Sequence, residues 1–159
     1  KFHDEHKDII NQMIKKFTDD RGDFVLFDAK KCDQVNVVNN ISRYTLRGLH
    51  YQEGESAQRK TIKVIHGEVM DFLYDPITKE LLVYRLDKNS PPLVIERNYA
   101  HGYFTLEPDT IFTYAVEGDY NPDSERSIVY DTIPEIKMIV KSYDPYAPFA
   151  ISDKDKNGK

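Results

Sequence analysis

The chain has 159 residues, 40% of them hydrophobic and 31% charged, which is one globular domain's worth and excludes a disordered chain. Its 22 Lys and Arg against 27 Asp and Glu leave a net charge of −5, which argues against a nucleic-acid grip, and no apolar run is long enough to span a bilayer. Cys32 is the only cysteine, which excludes an intrachain disulfide and a cysteine zinc site. No signal-peptide pattern is visible. A single soluble, cytoplasmic domain over 1–159 is expected, with 1–17 as an N-terminal arm and 153–159 as a charged, frayed polar tail. The chain begins at Lys1 rather than Met, so further residues are expected ahead of it.

Along the chain, Ile10, Met13, Ile14 and Phe17 are spaced as on one helix face, and the same stretch fits a short strand around Ile14–Phe17. His3 and His6 lie in a charged segment and read as solvated. Asp19 to Asp23 reads as a turn, Phe24–Phe27 as a strand, and Val35, Val37 and Val38 as another that stops at an Asn39-Asn40 turn signal. Strands are then predicted at Tyr44–Tyr51, Lys60–Val64, Glu68–Tyr74, Leu81–Leu86 and Leu93–Ile95. Further ones are predicted at His101–Leu106, Thr110–Val116, Ser127–Tyr130 and Ile136–Val140, with Tyr120–Glu125 as a loop. Eleven Tyr and eight Phe suit pleated, half-buried surfaces. Short strands with turns between them predict an all-β sandwich or barrel, and the lack of βαβ alternation argues against a dinucleotide-binding α/β fold.

Three segments concentrate chemistry. Arg47-Gly48-Leu49-His50-Tyr51-Gln52 is followed by Gln58 and Lys60; Ala100-His101-Gly102 is followed by Tyr114; and Tyr120-Asn121-Pro122 runs on to Glu125. Taken singly, each has a plainer reading: a lone strand histidine is usually structural, an arginine such as Arg47 usually forms a surface ion pair, and a tyrosine in an aromatic strand usually packs. His66 beside Gly67 reads as structural. A metal would want His and carboxylate ligands clustered more closely than the run around His50 offers, so no metal is expected. Together, two histidines, two cations and a phenol suit proton abstraction beside a carbonyl. A neutral imidazole takes a proton near pH 7, a fixed cation stabilises the enolate oxygen, and a Tyr returns a proton from the far side.

The chain resembles the dTDP-4-dehydrorhamnose 3,5-epimerase family. The likeness is carried by Arg-Gly-Leu-His-Tyr-Gln, Gln58-x-Lys60, Gly67-Glu68-Val69-x-Asp71, Ala100-His101-Gly102-Tyr103, Tyr114 and Tyr120-x-Pro122, in the same order and spacing from about Phe17 to Asp155. The resemblance implies a cupin jelly roll, a homodimer with exchanged strands, a nucleotide-sugar substrate and no cofactor. It implies His50 as base, Asp155 (with Asp153 as fallback) as its carboxylate partner, Lys60 at the enolate and Tyr114 as acid. It also implies substrate contacts from Arg47, His101 with Asp71 as companion, Tyr120, Gln34 and Asn36, and from Arg21 and Phe24 of the partner's arm. The chain departs from the family at Ile95-Glu96-Arg97-Asn98, where Ile-Pro-x-Gly is usual. It departs again at Asp75-Pro76-Ile77, at Tyr130-Asp131-Thr132 and at Val38, where a Ser is expected. Single-centre epimerases, ketoisomerases and a non-catalytic sugar-binding cupin are the alternatives on the same scaffold.

Overall fold

The computed structural model describes residues 14–27, 32–143 and 149–158. The strands are β1 (Ile14–Asp19), β2 (Gly22–Phe27), β3 (Gln34–Asn40), β4 (Leu46–Gln52), β5 (Arg59–His66) and β6 (Glu68–Tyr74). They continue as β7 (Leu81–Asp87), β8 (Leu93–Ile95), β9 (Ala100–Thr105), β10 (Thr110–Glu117) and β11 (Glu125–Ser127). Two helices follow, α1 (Pro134–Tyr143) and α2 (Asp153–Asn157). A four-stranded sheet in the order β3-β10-β5-β8 faces a five-stranded one in the order β11-β4-β9-β6-β7, and all their strand pairs are antiparallel. This is the all-β sandwich that the alternating strands predict, in the cupin-type jelly-roll form that the resemblance implies.

Alternation decides what each face does. Ile62, Val64, Leu93, Ile95 and Phe112 of the first sheet pack against Val69, Leu73, Leu86 and Tyr103 of the second, which makes the core between the sheets. The opposite face of the five-stranded sheet is also buried: Leu46, Leu49, Phe72, Ala100 and Phe104 lie under Ile136 and Val140 of α1. A strand covered on both sides is apolar on both faces, and β6 is so apart from Glu68 at its start and the buried Asp71. The core fills one end of the sandwich. Toward the other end the inward positions turn polar, with Lys60, Tyr114, Asn36 and His101 in place of aliphatic residues.

The structure corrects several sequence expectations. Ile136–Val140 is helical. Pro134 stands at the first helical position, where its fixed φ and missing N–H are tolerated, and Ile136 and Val140 are four apart on the face that meets the sheet while Met138 is exposed. Tertiary burial overrides the β preference of Ile and Val here. The predicted strand at Ser127–Tyr130 is regular only to Ser127, Ile128 still exchanges backbone hydrogen bonds with Leu49, and Tyr130 opens a 3-10 turn. The tail is not frayed: Ser152 caps α2 by accepting from the Asp155 N–H, and Gly158 ends it in the left-handed conformation. The ambiguous Ile14–Phe17 stretch is strand β1; Ile10, Met13, His3 and His6 lie outside the described residues. Among the described residues, β1 and β2 pair only with each other, as a hairpin apart from both sheets.

Candidate active site

An open cleft of about 350 Å³ runs between the two sheets at their polar end. It continues into an inner chamber of about 200 Å³. His50, Lys60, His101 and Tyr114 line both. Arg47 opens only onto the chamber, and Gln34, Asn36 and Tyr120 only onto the outer cleft. His50 and His101 stand opposite each other on paired strands β4 and β9 of the five-stranded sheet. Lys60 and Tyr114 come from β5 and β10 of the facing sheet, with the Lys60 ammonium 5.9 Å from the centre of the Tyr114 ring.

Each histidine has its own carboxylate. His50 Nε2 lies 2.5 Å from Asp155 Oδ1. The Asp155 Oδ2 accepts from the Gly48 N–H at 3.0 Å, and the residue is 5% exposed. Burial pushes the Asp155 carboxyl up, but hydrogen bonds from His50, Gly48 and Ser152 together hold it below the usual carboxylate range. The neighbouring Asp153 is exposed, so Asp155 is the one that meets His50. His101 Nε2 lies 2.6 Å from Asp71 Oδ1. Asp71 is buried behind that ring and does not line the cleft, so it holds the imidazole rather than touching what enters. Burial pushes its carboxyl up, against the pull of His101 and Lys60.

Gly48 makes the first dyad possible. Its φ is +99°, and a Cβ there would lie 2.5 Å from the His101 carbonyl oxygen and 2.7 Å from the Gly102 Cα. Only a glycine lets β4 press onto β9 at this irregular point in the pairing, between Arg47 and His50. The same residue offers its N–H to Asp155.

Charge is concentrated on the facing wall. Burial pushes the Lys60 ammonium down, and the nearby Glu125 and Asp71 carboxylates work against that shift. Burial pushes the Tyr114 phenol up, while a hydrogen bond from Asn36, its cross-strand partner, and the Arg47 charge pull it back. Gln34 Nε2 donates to Asn36 Oδ1 at 2.7 Å. At the rim, Tyr120 Oη donates to Glu125 Oε2 at 3.2 Å, and Lys154 reaches the same oxygen at 2.8 Å. That ammonium is the main reason the Glu125 carboxyl sits below its usual range.

Two predicted contacts stay outside the cleft. Arg21 and Phe24 lie on the β1–β2 hairpin, where Arg21 pairs with Asp19 at 2.6 Å and Phe24 is 63% exposed. Conversely, the cleft recruits residues that sequence reading left unassigned: Glu125, Arg97, Tyr99, Ile95 and Val116. Ile95 and Val116 share the inward parity of Lys60 and Tyr114, a signal that was available. Arg97 and Tyr99 sit in an irregular stretch with no period to read.

A sandwich with a polar cleft at one end, a His–carboxylate pair on one wall and a Lys and a Tyr on the other has the form of a cupin-type site with the groups that acid–base chemistry requires. The profile described as dTDP-4-dehydrorhamnose 3,5-epimerase matches residues 5–159. A dTDP-4-dehydrorhamnose 3,5-epimerase of Salmonella typhimurium is 39% identical in an alignment of 141 positions that covers 78% of this chain and 76% of that one. The Bacillus anthracis enzyme of the same name, crystallised with TDP and PPi bound, superposes with a TM-score of 0.74 at 28% identity, covering 92% of this chain and 90% of its own. A Legionella pneumophila dTDP-6-deoxy-D-glucose-3,5-epimerase in complex with dTDP-4-keto-L-rhamnose superposes with a TM-score of 0.72 at 29% identity, covering 91% and 83%. The chain belongs to the dTDP-4-dehydrorhamnose 3,5-epimerase family.

Proposed function

We propose that this protein is an isomerase that epimerises a dTDP-linked 4-keto-6-deoxyhexose at C3 and C5. The observation that carries the reading is the placement of His50 and Tyr114 on opposite sheets, facing one chamber that also holds Lys60. The C4 ketone acidifies the hydrogens on C3 and C5. Asp155 takes the Nε2–H of His50, which leaves the Nδ1 lone pair as the base. The carboxylate fixes that tautomer and stabilises the imidazolium once the carbon-bound proton has moved. Negative charge gathers on the ketone oxygen, where Lys60 stabilises it. Tyr114 then gives its phenolic proton to the opposite face of the carbon, and solvent restores both groups. Presenting the second carbon to the same pair completes the double inversion.

Gln34, Asn36 and Tyr120 on the outer cleft hold the nucleotide end, and Arg47 reaches the diphosphate from the inner chamber. The Glu125–Lys154 pair frames the same end. The functional unit in this reading is a homodimer. The β1–β2 hairpin stands apart from both sheets and exposes Phe17, Phe24 and Leu26, a pattern that fits a segment made to pair with a second copy. It would carry Arg21 and Phe24 to the partner's cleft. A nucleotide-sugar substrate and a lone cysteine fit a cytoplasmic enzyme.

Paired substitutions test the assignment of base and acid. His50→Ala is expected to lower kcat by about 10³-fold or more with an unchanged circular dichroism spectrum. Tyr114→Phe is expected to depress product formation far more than exchange of the substrate's C–H with solvent. Wild-type-like rates in the first variant, or equal and mild losses of exchange and product in the second, would remove those roles.

A further inference from the structure

Asn39-Asn40 reads in the sequence as a turn signal, yet Asn40 closes β3 and is 1% exposed. A buried carboxamide needs partners for its oxygen and its nitrogen, and this one has them. Its Nδ2 donates to the Thr110 carbonyl at 3.1 Å. Its Oδ1 accepts from Arg47 Nε at 2.8 Å and from Tyr103 Oη at 2.9 Å, which uses both lone pairs. Tyr103 is itself buried, directly opposite Arg47 on the paired strand, with its ring edge-on to Phe112 at 4.6 Å.

The consequence falls on Arg47. Its Nε is pinned from behind by a group that cannot move without leaving other buried atoms unpaired. Among the described residues, neither of its terminal nitrogens has a hydrogen-bond or ion-pair partner. The guanidinium is therefore presented as an open fork at the chamber, already oriented before anything binds. We propose that Asn40 and Tyr103 are positioning residues that lock the Arg47 fork for the diphosphate of the nucleotide sugar. The lock spares the long side chain the ordering cost it would otherwise meet on binding. Asn40 touches Arg47 directly, and Tyr103, which also lines the chamber, acts on Arg47 through Asn40. This inference rests on the reading of Arg47 as a diphosphate contact.

A double-mutant cycle tests it, with dTDP as the probe, Kd from titration calorimetry and Tm measured alongside. Arg47→Ala should weaken dTDP by about 30-fold or more. Tyr103→Phe keeps the ring and removes only the hydroxyl, and it should weaken dTDP by roughly 3- to 10-fold. Asn40→Ala should weaken it further, with a lower Tm. In the Arg47→Ala background both second substitutions should leave Kd unchanged. If Tyr103→Phe and Asn40→Ala weaken dTDP by the same factor with Arg47 present or absent, they act on the fold and the lock is refuted. If they lower Tm and leave Kd unchanged in the wild-type background, it is refuted as well. A wild-type protein that does not bind dTDP would overturn the diphosphate reading itself, and the lock with it.

Discussion

His50 and His101 face one cleft from neighbouring strands, each with a carboxylate within 2.6 Å, yet their surroundings give them different work. Asp155 lies on α2 and its carboxyl is held low, so it keeps its negative charge beside the His50 ring. Asp71 is sealed behind His101 and burial pushes its carboxyl up, a pair suited to holding a ring in place. Asp155→Asn is therefore expected to cut kcat by about 10³-fold with little change in KM, measured by initial rates. Lys60 carries the opposite tension between stability and function. Its ammonium is pushed down by burial, so the unfolded chain binds that proton more readily than the folded one. Stability should rise as the pH climbs from the lowered value toward the ordinary lysine pKa of about 10.4. Lys60→Met should abolish this rise, abolish turnover and increase Tm at neutral pH by about 2–4 °C for each kcal/mol of relieved desolvation. A Tm unchanged or lowered at pH 7, measured by calorimetry, would contradict it.

At the scale of elements, the dyad depends on how β4 and α2 dock. Gly48→Ala would force a Cβ onto the His101 carbonyl at a positive φ, with an expected loss of about 2–4 kcal/mol in urea unfolding. Ser152→Ala removes the cap of α2 and should cost about 1 kcal/mol of its docking. Activity should fall with it, because Asp155 loses its footing. The lowered Asp155 carboxyl adds a pH signature: its contribution is complete above the ordinary carboxylate pKa of about 3.9 and is lost only as the pH falls below that, through the lowered value. The strands were legible because half-buried sheets alternate, and β6 because it is apolar on both faces around Asp71. The sequence pattern failed where tertiary contacts rule. The Ile and Val of α1 look like a strand until the sheet beneath them is known. The short α2 has no apolar period at all, although Ser152-x-x-Asp155 with Gly158 behind it is a capping pattern that marks a helix. Asn40 was hidden for the same reason, since an Asn-Asn pair reads as a turn whether or not its amide is buried.

The whole molecule poses the question of what lies against the hairpin. A β1–β2 ribbon that exposes Phe17 and Phe24 and pairs with neither sheet has little independent stability in water. The dimer reading predicts that Arg21 works in trans. Arg21→Ala and His50→Ala should each be inactive or nearly so as pure proteins. Mixed and reassembled in equal amounts, they should recover about a quarter of wild-type activity, because half of the dimers are then mixed and carry one intact site of two. No recovery on mixing would place Arg21 in its own subunit's function or in none. The four residues that meet around the inner chamber, His50, Lys60, Tyr114 and Asp155, come from two sheets and a terminal helix. Spacing alone could not bring them together, and the family resemblance supplied what periodicity could not. In the proposed reaction one base and one acid invert two carbons. Turnover of dTDP-4-keto-6-deoxyglucose in heavy water, read by mass spectrometry, tests it directly. Two deuterons in the product, at C3 and C5, are expected; a product with only one, or an unchanged substrate beside folded protein, would contradict it.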